Sequence, residues 1–283
     1  MTVLEAIQKS ADFLAKRGVE SARLNAELLL AHQLKLPRMR LYLNFERALT
    51  PAETDGLREL VKRRGLREPL QHITGSTNFC GCEISVNRDV LVPRPETEML
   101  AELGWQFLLT LNPQPSNCLD LCTGSGCIAI AIAAKSSAAK IVATDISTVV
   151  LVLAKQNAEA NKVAERIEFL GGDGFAAIPP ASRFDLIVSN PPYIASAEIA
   201  TLDPEVRDFD PRLALDGGMD GLDFYRRIAV EAKPFLKPTG KIMLEFGDGQ
   251  ADAIKMIFES EKWIVEAIKE DYSHRARILV ARR

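Results

Sequence analysis

The chain has 283 residues, 47% hydrophobic and 26% charged, with a formal net charge of −3. That is enough for one large domain and a small one, and it excludes a tail-dominated disordered protein. No apolar run is long enough to span a bilayer, since Leu28-Leu29-Leu30-Ala31 is soon interrupted by His32, Gln33 and Lys35. Met1-Thr2-Val3-Leu4-Glu5 lacks the basic start of a secretion signal, so a cytoplasmic monomer is expected. Cys80, Cys82, Cys118, Cys122 and Cys127 are an odd set and are expected as reduced thiols. One C-x-C pair, with His32, His72 and His274 scattered, gives no metal site.

The first ~73 residues read as helices only. Thr2-x-x-Glu5 is a capping box, followed at helical spacing by Val3, Leu4, Ile7, Ala11 and Leu14, with Gly18 as the stop. A second helix is expected over Ser21 to Gln33. A third starts at Thr50-Pro51-Ala52-Glu53 and runs to about Arg64, ending at Gly65. Residues 1–73 are therefore expected to form a small helical bundle for substrate recognition. They carry 13 Lys and Arg against 9 Asp and Glu, a net of +4, while the rest of the chain is at −7. A basic first segment suits an acidic partner, with Arg63, Arg64 and Arg67 as candidate contacts; a solvated helix face is the plainer reading.

Residues 74–95 alternate apolar and polar positions around Gly75, Gly81 and Asn87, which predicts a hairpin linking two regions, ended by Pro93-Arg94-Pro95. Residues 96–283 alternate strands and helices. Strands are expected at Cys118–Cys122, Ile141–Asp145, Ile167–Leu170, Phe184–Ser189 and Lys241–Phe246, with helices between most of them. That pattern predicts a doubly wound α/β sheet. Trp263–Lys269 and Arg277–Ala281 are joined by a short link, which requires an antiparallel pair. A Rossmann-like, mostly parallel sheet with one reversed strand follows, of the kind found in class I methyltransferases.

Asp120-Leu-Cys122-Thr123-Gly124-Ser125-Gly126 joins the first strand of this sheet to an Ile/Ala-rich helix. The glycines permit a tight turn, and the helix N-terminus favours an anionic group: a pyrophosphate, or the carboxylate of an amino-acid cofactor. Asp145 ends the next strand, where a carboxylate accepts both hydroxyls of a ribose. A carboxylate just ahead of the loop repels a pyrophosphate but attracts an ammonium, so Asp120 favours the amino-acid cofactor, S-adenosylmethionine. Asp173 follows the third strand and either receives an adenine amino group, with Gly174 beside it, or is a solvated strand end.

Phe184-Asp-Leu-Ile-Val-Ser189 ends in Asn190-Pro191-Pro192-Tyr193. Ligands of open α/β sheets bind beyond the carboxyl ends of the strands, where this tetrapeptide lies. An amide or aromatic amine nitrogen is a poor nucleophile because its lone pair is delocalised. Two fixed acceptors, the Asn190 side-chain oxygen and the Pro191 carbonyl, can take its two N–H groups and favour pyramidalisation. Proline restricts Asn190 to extended backbone, and Tyr193 can pack against a planar group. No basic residue is required, because the methylated cation loses its proton to water.

Pro69-Leu-Gln-His-Ile-Thr-Gly75, Leu91-Val-Pro-Arg-Pro-Glu-Thr-Glu98, the Asp120 loop, Asn190 to Tyr193 and the segment from Glu205 to Gly218 together resemble the HemK/PrmC family. These are the peptide chain release factor N5-glutamine methyltransferases. The resemblance implies a substrate, the glutamine of a Gly-Gly-Gln motif in class I release factors. It implies that Cys122 to Gly126, Asp145 and Asn190 line the S-adenosylmethionine site, and that Asn190 to Tyr193 hold the glutamine amide. Two positions depart from the family pattern: Cys122 stands where glycine is usual, and Gly174 where some members have an aromatic, a cover that Phe175 can supply instead. A ribosomal-protein glutamine methyltransferase would share this chemistry. A nucleic-acid amino methyltransferase is disfavoured by the net charge of −3 and the lack of a basic stripe. An NAD-dependent oxidoreductase has no use for the tetrapeptide.

Overall fold

The structure, a computed structural model, describes residues 1–111 and 115–283. It comprises two compact units, one of Met1–Gly75 with Asp203–Phe209, the other of Ser76–Leu202 with Asp210–Arg283.

The first unit holds α1 (Val3–Lys16), α2 (Ala22–Leu34), α3 (Arg38–Tyr42), α4 (Pro51–Gly65) and α5 (Leu70–Thr74). Helices α1 and α4 begin at the two capping boxes. Thr2 Oγ1 accepts from the Glu5 N–H at 3.2 Å while Glu5 takes the Thr2 N–H at 2.9 Å, and Thr50 and Glu53 repeat both distances. Such a cap is worth ~1 kcal/mol. Val3, Ile7 and Leu14 of α1, Leu29 and Leu30 of α2, and Leu57 of α4 form the core. Helices α3 and α5 are additions to the predicted set; at five residues each, they are too short to show a period. A buried carboxylate, Glu27, is met by Arg23 and Arg38, each at 3.1 Å, and by the Tyr42 hydroxyl at 2.9 Å.

Arg63, Arg64 and Arg67 are engaged within this unit. Arg63 pairs with Glu68 at 2.7 Å, and Glu205 receives Arg64 at 2.9 Å and Arg67 at 2.5 Å. Arg64 is buried. Of the three candidate contacts, Arg64 and Arg67 thus bind a residue about 140 positions away in sequence, while Arg63 pairs locally and stays partly exposed.

The second unit opens with a hairpin, β1 (Ser76–Phe79) and β2 (Cys82–Ser85), paired from Ser76↔Ser85 to Phe79↔Cys82. Ile84 and Val86 are buried in the core shared with the following helices, so the hairpin is part of this unit's packing. Then come α6 (Pro95–Thr110), β3 (Asn117–Leu121), α7 (Cys127–Lys135), β4 (Lys140–Asp145), α8 (Thr148–Ala160), β5 (Ile167–Gly171) and β6 (Phe184–Ser189). The one-turn α9 (Pro204–Arg207) lies in the segment belonging to the first unit. The chain closes with α10 (Asp223–Glu231), β7 (Leu236–Glu245), α11 (Ala251–Ser260), β8 (Ile264–Glu270) and β9 (Ala276–Arg282).

Seven strands form one sheet in the order β5-β4-β3-β6-β7-β9-β8. Neighbours from β5 to β7 are parallel, and β9 is antiparallel to both β7 and β8, giving the expected single reversed strand. Strand β7 starts at Leu236 rather than near Lys241, because a register shift lets Leu236 pair with Phe184 and Lys241 with Leu186. Pro238 and Gly240 within it read as a break in sequence. One buried cluster joins α6, α7 and the hairpin to one face of the sheet; a second, around Tyr225, Phe246, Ile254 and Phe258, joins α10 and α11 to the other. Among the described residues no helix is long and apolar enough to cross a membrane.

Candidate active site

Register puts the site together. Leu121 pairs with Thr144 on one side and Ser189 on the other, so β3, β4 and β6 end level. The strand order reverses at β3, where the crevice of a doubly wound sheet lies. A cavity of about 360 Å³ opens there, walled by Cys122, Thr123, Gly124, Ser125, Asp145, Asp173, Gly174, Asn190 and Pro192. That volume is in the range of small-ligand sites.

The loop after β3 is braced from below. Asp120 is fully buried; its Oδ2 accepts from Thr123 Oγ1 at 2.6 Å and from the Ala129 N–H at 3.2 Å, while Oδ1 has no partner. Burial pushes its pKa up to about 7 against those two donors. Asp120 is not on the cavity wall, and neither is Gly126. Gly126 has φ +82, and a Cβ there would meet Ala154 Cβ and Ile130 Cδ1, both at 3.2 Å, so this position permits the close packing of α7 on α8. Cys122 has φ +58, the left-handed region that glycine enters freely. Asn157 of α8 ties the same loop to the hairpin, donating to the Ser125 and Ser85 carbonyls at 2.9 and 3.0 Å.

Asp145 accepts from the Gly124 N–H and the Ser147 N–H, each at 3.0 Å, one per carboxylate oxygen. Burial raises its pKa, offset in part by those N–H groups. A carboxylate offers about four lone-pair directions, so two remain to receive a diol. Asp173 pairs with Arg227 at 2.9 Å, an exposed ion pair at the rim. Phe175 does not cover the cavity. It is buried and stacked on Phe235, ring centroids 5.2 Å apart. Ile146, Val149 and Phe224 supply the apolar wall instead. Ile146 and Val149 are more than half exposed, a feature for which the sequence offered no period.

At the end of β6, Asn190 donates through Nδ2 to Thr97 Oγ1 at 3.1 Å. Pro191 and Pro192 are buried. Tyr193 packs at the edge of the second core cluster rather than on the cavity wall, where burial lifts its phenol to about 12. The tetrapeptide is clamped from behind. Gln250 Nε2 donates to the Tyr193 carbonyl at 2.9 Å, Ile194 N–H to the Leu215 carbonyl at 3.0 Å, and Gly217 N–H to the Ile194 carbonyl at 2.9 Å. A Cβ on Gly217 would lie 2.7 Å from the Pro192 carbonyl oxygen. Sequence reasoning missed Thr97, Ile146 and Phe224 on this wall, and Glu245 beside it.

The parts fit an S-adenosylmethionine-type ligand. The turn at Gly124 is open, since a Cβ there would meet nothing; Asp145 has lone pairs left to accept a diol; Ile146 and Phe224 put apolar surface on the same wall.

Residues 5–75 match the PrmC N-terminal domain and residues 102–203 the Methyltransferase small domain. The chain is 44% identical to a release factor glutamine methyltransferase of Geobacter sulfurreducens, over 91% of this chain and 88% of that one. It is 40% identical to another from Cereibacter sphaeroides, over 100% and 99%. A crystal structure of a methyltransferase from Pyrococcus furiosus shares the fold, with 23% identity, a TM-score of 0.51, and coverage of 71% of this chain and 88% of that one. On this identity along its whole length, the chain belongs to the release factor glutamine methyltransferase family, S-adenosylmethionine-dependent enzymes in which a helical N-terminal region is followed in sequence by a Rossmann-like sheet.

Proposed function

We propose that this enzyme methylates the side-chain amide nitrogen of the glutamine in the Gly-Gly-Gln motif of class I release factors, in the cytoplasm and as a monomer. The observation that carries the reading is one cavity whose wall holds both the Gly124–Asp145 cradle and Asn190 with Pro192. S-adenosylmethionine supplies an electrophilic methyl group on sulfur. Asn190 Oδ1 and the Pro191 carbonyl accept the two N–H groups of the glutamine amide and orient its lone pair toward that methyl. The cofactor, which the Gly124 turn and Asp145 would hold, would give its methyl to this nitrogen and leave as the thioether, and the nitrogen would lose one proton to water. The catalytic effects are orientation and fixed dipoles.

The acceptor pair treats a glutamine amide and an adenine amine alike, so selection falls to surfaces other than the cavity. We assign it to the first unit, with residues 1–73 at net charge +4. Incubation with labelled S-adenosylmethionine, release factor, ribosomes and nucleic acid tests the reading. Label is expected on the release-factor glutamine. Label on a ribosomal protein or on nucleic acid, with none on release factor, would overturn it.

A further inference from the structure

An asparagine amide has two edges of opposite character. Presented to a substrate N–H, Oδ1 attracts and Nδ2 repels, so the function of Asn190 depends on which edge faces the cavity. Nothing in the tetrapeptide itself decides this. The surroundings do. Asn190 Nδ2 is 3.1 Å from Thr97 Oγ1 in the first turn of α6. Behind both stands Glu245, the last residue of β7, only 2% exposed. Its carboxyl is buried beside the Thr97 hydroxyl and the Asn190 amide, both of which hold its pKa down against the rise that burial causes, and its Oε2 has no hydrogen-bond partner. The strand register accounts for the meeting: Ser189 pairs with Leu244, so the residues that follow each, Asn190 and Glu245, lie abreast. The backbone of Glu245 is fixed as well, since its carbonyl accepts from the Tyr225 hydroxyl at 2.7 Å.

The chemistry of the trio favours one arrangement. An ionised carboxylate only accepts. With Thr97 Oγ1 accepting from Asn190 Nδ2, the hydroxyl proton is free to turn toward an ionised Glu245. With Nδ2 held at Thr97, Oδ1 is the edge turned away from it, and Asn190 is on the wall of the cavity.

We propose that Thr97 and Glu245 are positioning residues for methyl transfer, holding the Nδ2 edge of Asn190 so that Oδ1 is the edge presented to the substrate nitrogen. This rests on the reading of Asn190 as acceptor for that nitrogen. Burial raises Glu245 to about 7, with Glu96 adding to the rise and Arg277 opposing it. Tyr193, Tyr225 and Cys127 are the other titratable groups that face it. Once protonated, Glu245 becomes a donor, and the argument for a single amide orientation is lost. Turnover is then expected to fall as pH drops through about 7.

The test is steady-state methylation of release factor by the full-length protein and its variants, with S-adenosylhomocysteine affinity measured alongside. Thr97→Val removes the hydroxyl and keeps the shape; Glu245→Gln keeps the shape and adds a donor. Each is expected to lower kcat about tenfold to a hundredfold, as misalignment of a reacting group does, with KM for release factor and cofactor Kd within about twofold of wild type. Thr97→Ser restores the hydroxyl and should restore kcat. Glu245→Gln should also lose the fall in kcat below pH 7. Unchanged kcat in both Thr97→Val and Glu245→Gln overturns the proposal. So does a joint loss of kcat, cofactor affinity and thermal stability that Thr97→Ser fails to rescue, because that is the mark of packing alone. If wild type labels another planar amine instead of glutamine, the substrate reading fails, and the same kcat ratios on that acceptor still decide the role of Thr97 and Glu245.

Discussion

Asp145 joins the proposed cofactor cradle to the fold, and its removal has a calculable cost. Its two oxygens already hold the Gly124 and Ser147 N–H groups at 3.0 Å, and their second lone pairs are the proposed acceptors for the ribose diol. A hydrogen bond to a charged acceptor contributes ~1.5–3 kcal/mol. Asp145→Ala deletes the acceptor for the ligand and also releases the Gly124 N–H, so the loss of one such bond is a lower bound. That corresponds to a rise in Kd of ~10- to 100-fold. Asp145→Asn keeps one oxygen and loses the charge, and its NH2 cannot accept from a loop N–H or a hydroxyl, so it should fall between wild type and alanine. Titration calorimetry with S-adenosylhomocysteine measures all three. Affinity of Asp145→Ala within twofold of wild type, or NAD bound more tightly than S-adenosylhomocysteine by the wild type, would refute the assignment of this cradle.

Asn190→Ala is expected to lower methylation kcat ~100-fold or more by deleting a preorganised acceptor, with little change in thermal stability; near-normal turnover would make the tetrapeptide a turn only. Cys122→Gly takes a side chain out of left-handed backbone at φ +58 and should stabilise the protein by ~0.5–1 kcal/mol after the entropy of glycine is deducted, seen as a higher denaturation midpoint; a lower midpoint would mean that the thiol packs usefully. Asp120 has a folded pKa raised to about 7 from an ordinary value of 3.8. Its contribution to stability is present below pH ~4 and lost as pH rises to ~7, so the melting temperature of Asp120→Asn relative to wild type should increase from pH 5 to pH 8, and a constant difference would refute the raised pKa.

The sequence carried the fold through signals that are local. Capping boxes at Thr2 and Thr50 start helices by bonds three residues apart, and apolar periods mark strands such as Phe184–Ser189, so both were legible from neighbouring residues. Strand β7 was read short because Pro238 and Gly240 signal a break, whereas the sheet accommodates them in an irregularity of pairing. Phe175 illustrates a different limit. An aromatic after Asp173 is equally able to cover a ligand or to fill a core, and its stacking on Phe235, 60 residues on, chose the core. Arg64 and Arg67 read as surface charges because their partner, Glu205, lies in a segment that leaves the second unit's chain and returns to the first unit.

The site shows the same division more sharply. The proposed chemistry of Asn190-Pro191-Pro192-Tyr193 is legible in four consecutive residues and that of the Gly124 turn in a few more, although Tyr193 packs against the core and not on the cavity wall. What the tetrapeptide cannot state is the orientation of the Asn190 amide, since the two edges differ only by what lies behind them. Thr97 comes from the first turn of α6, 93 residues earlier. Glu245 arrives because β7 inserts beside β6 with Ser189 opposite Leu244. Neither residue is given a site role by its neighbours: Thr97 stands in the Leu91–Glu98 stretch at a helix start, and Glu245 lies within the expected strand Lys241–Phe246. The glutamate is instead buried, with one oxygen lacking any hydrogen-bond partner, an arrangement that costs stability. A buried carboxyl retained at such a cost, abreast of the acceptor proposed to act on the substrate nitrogen, is what a requirement for one amide orientation would produce.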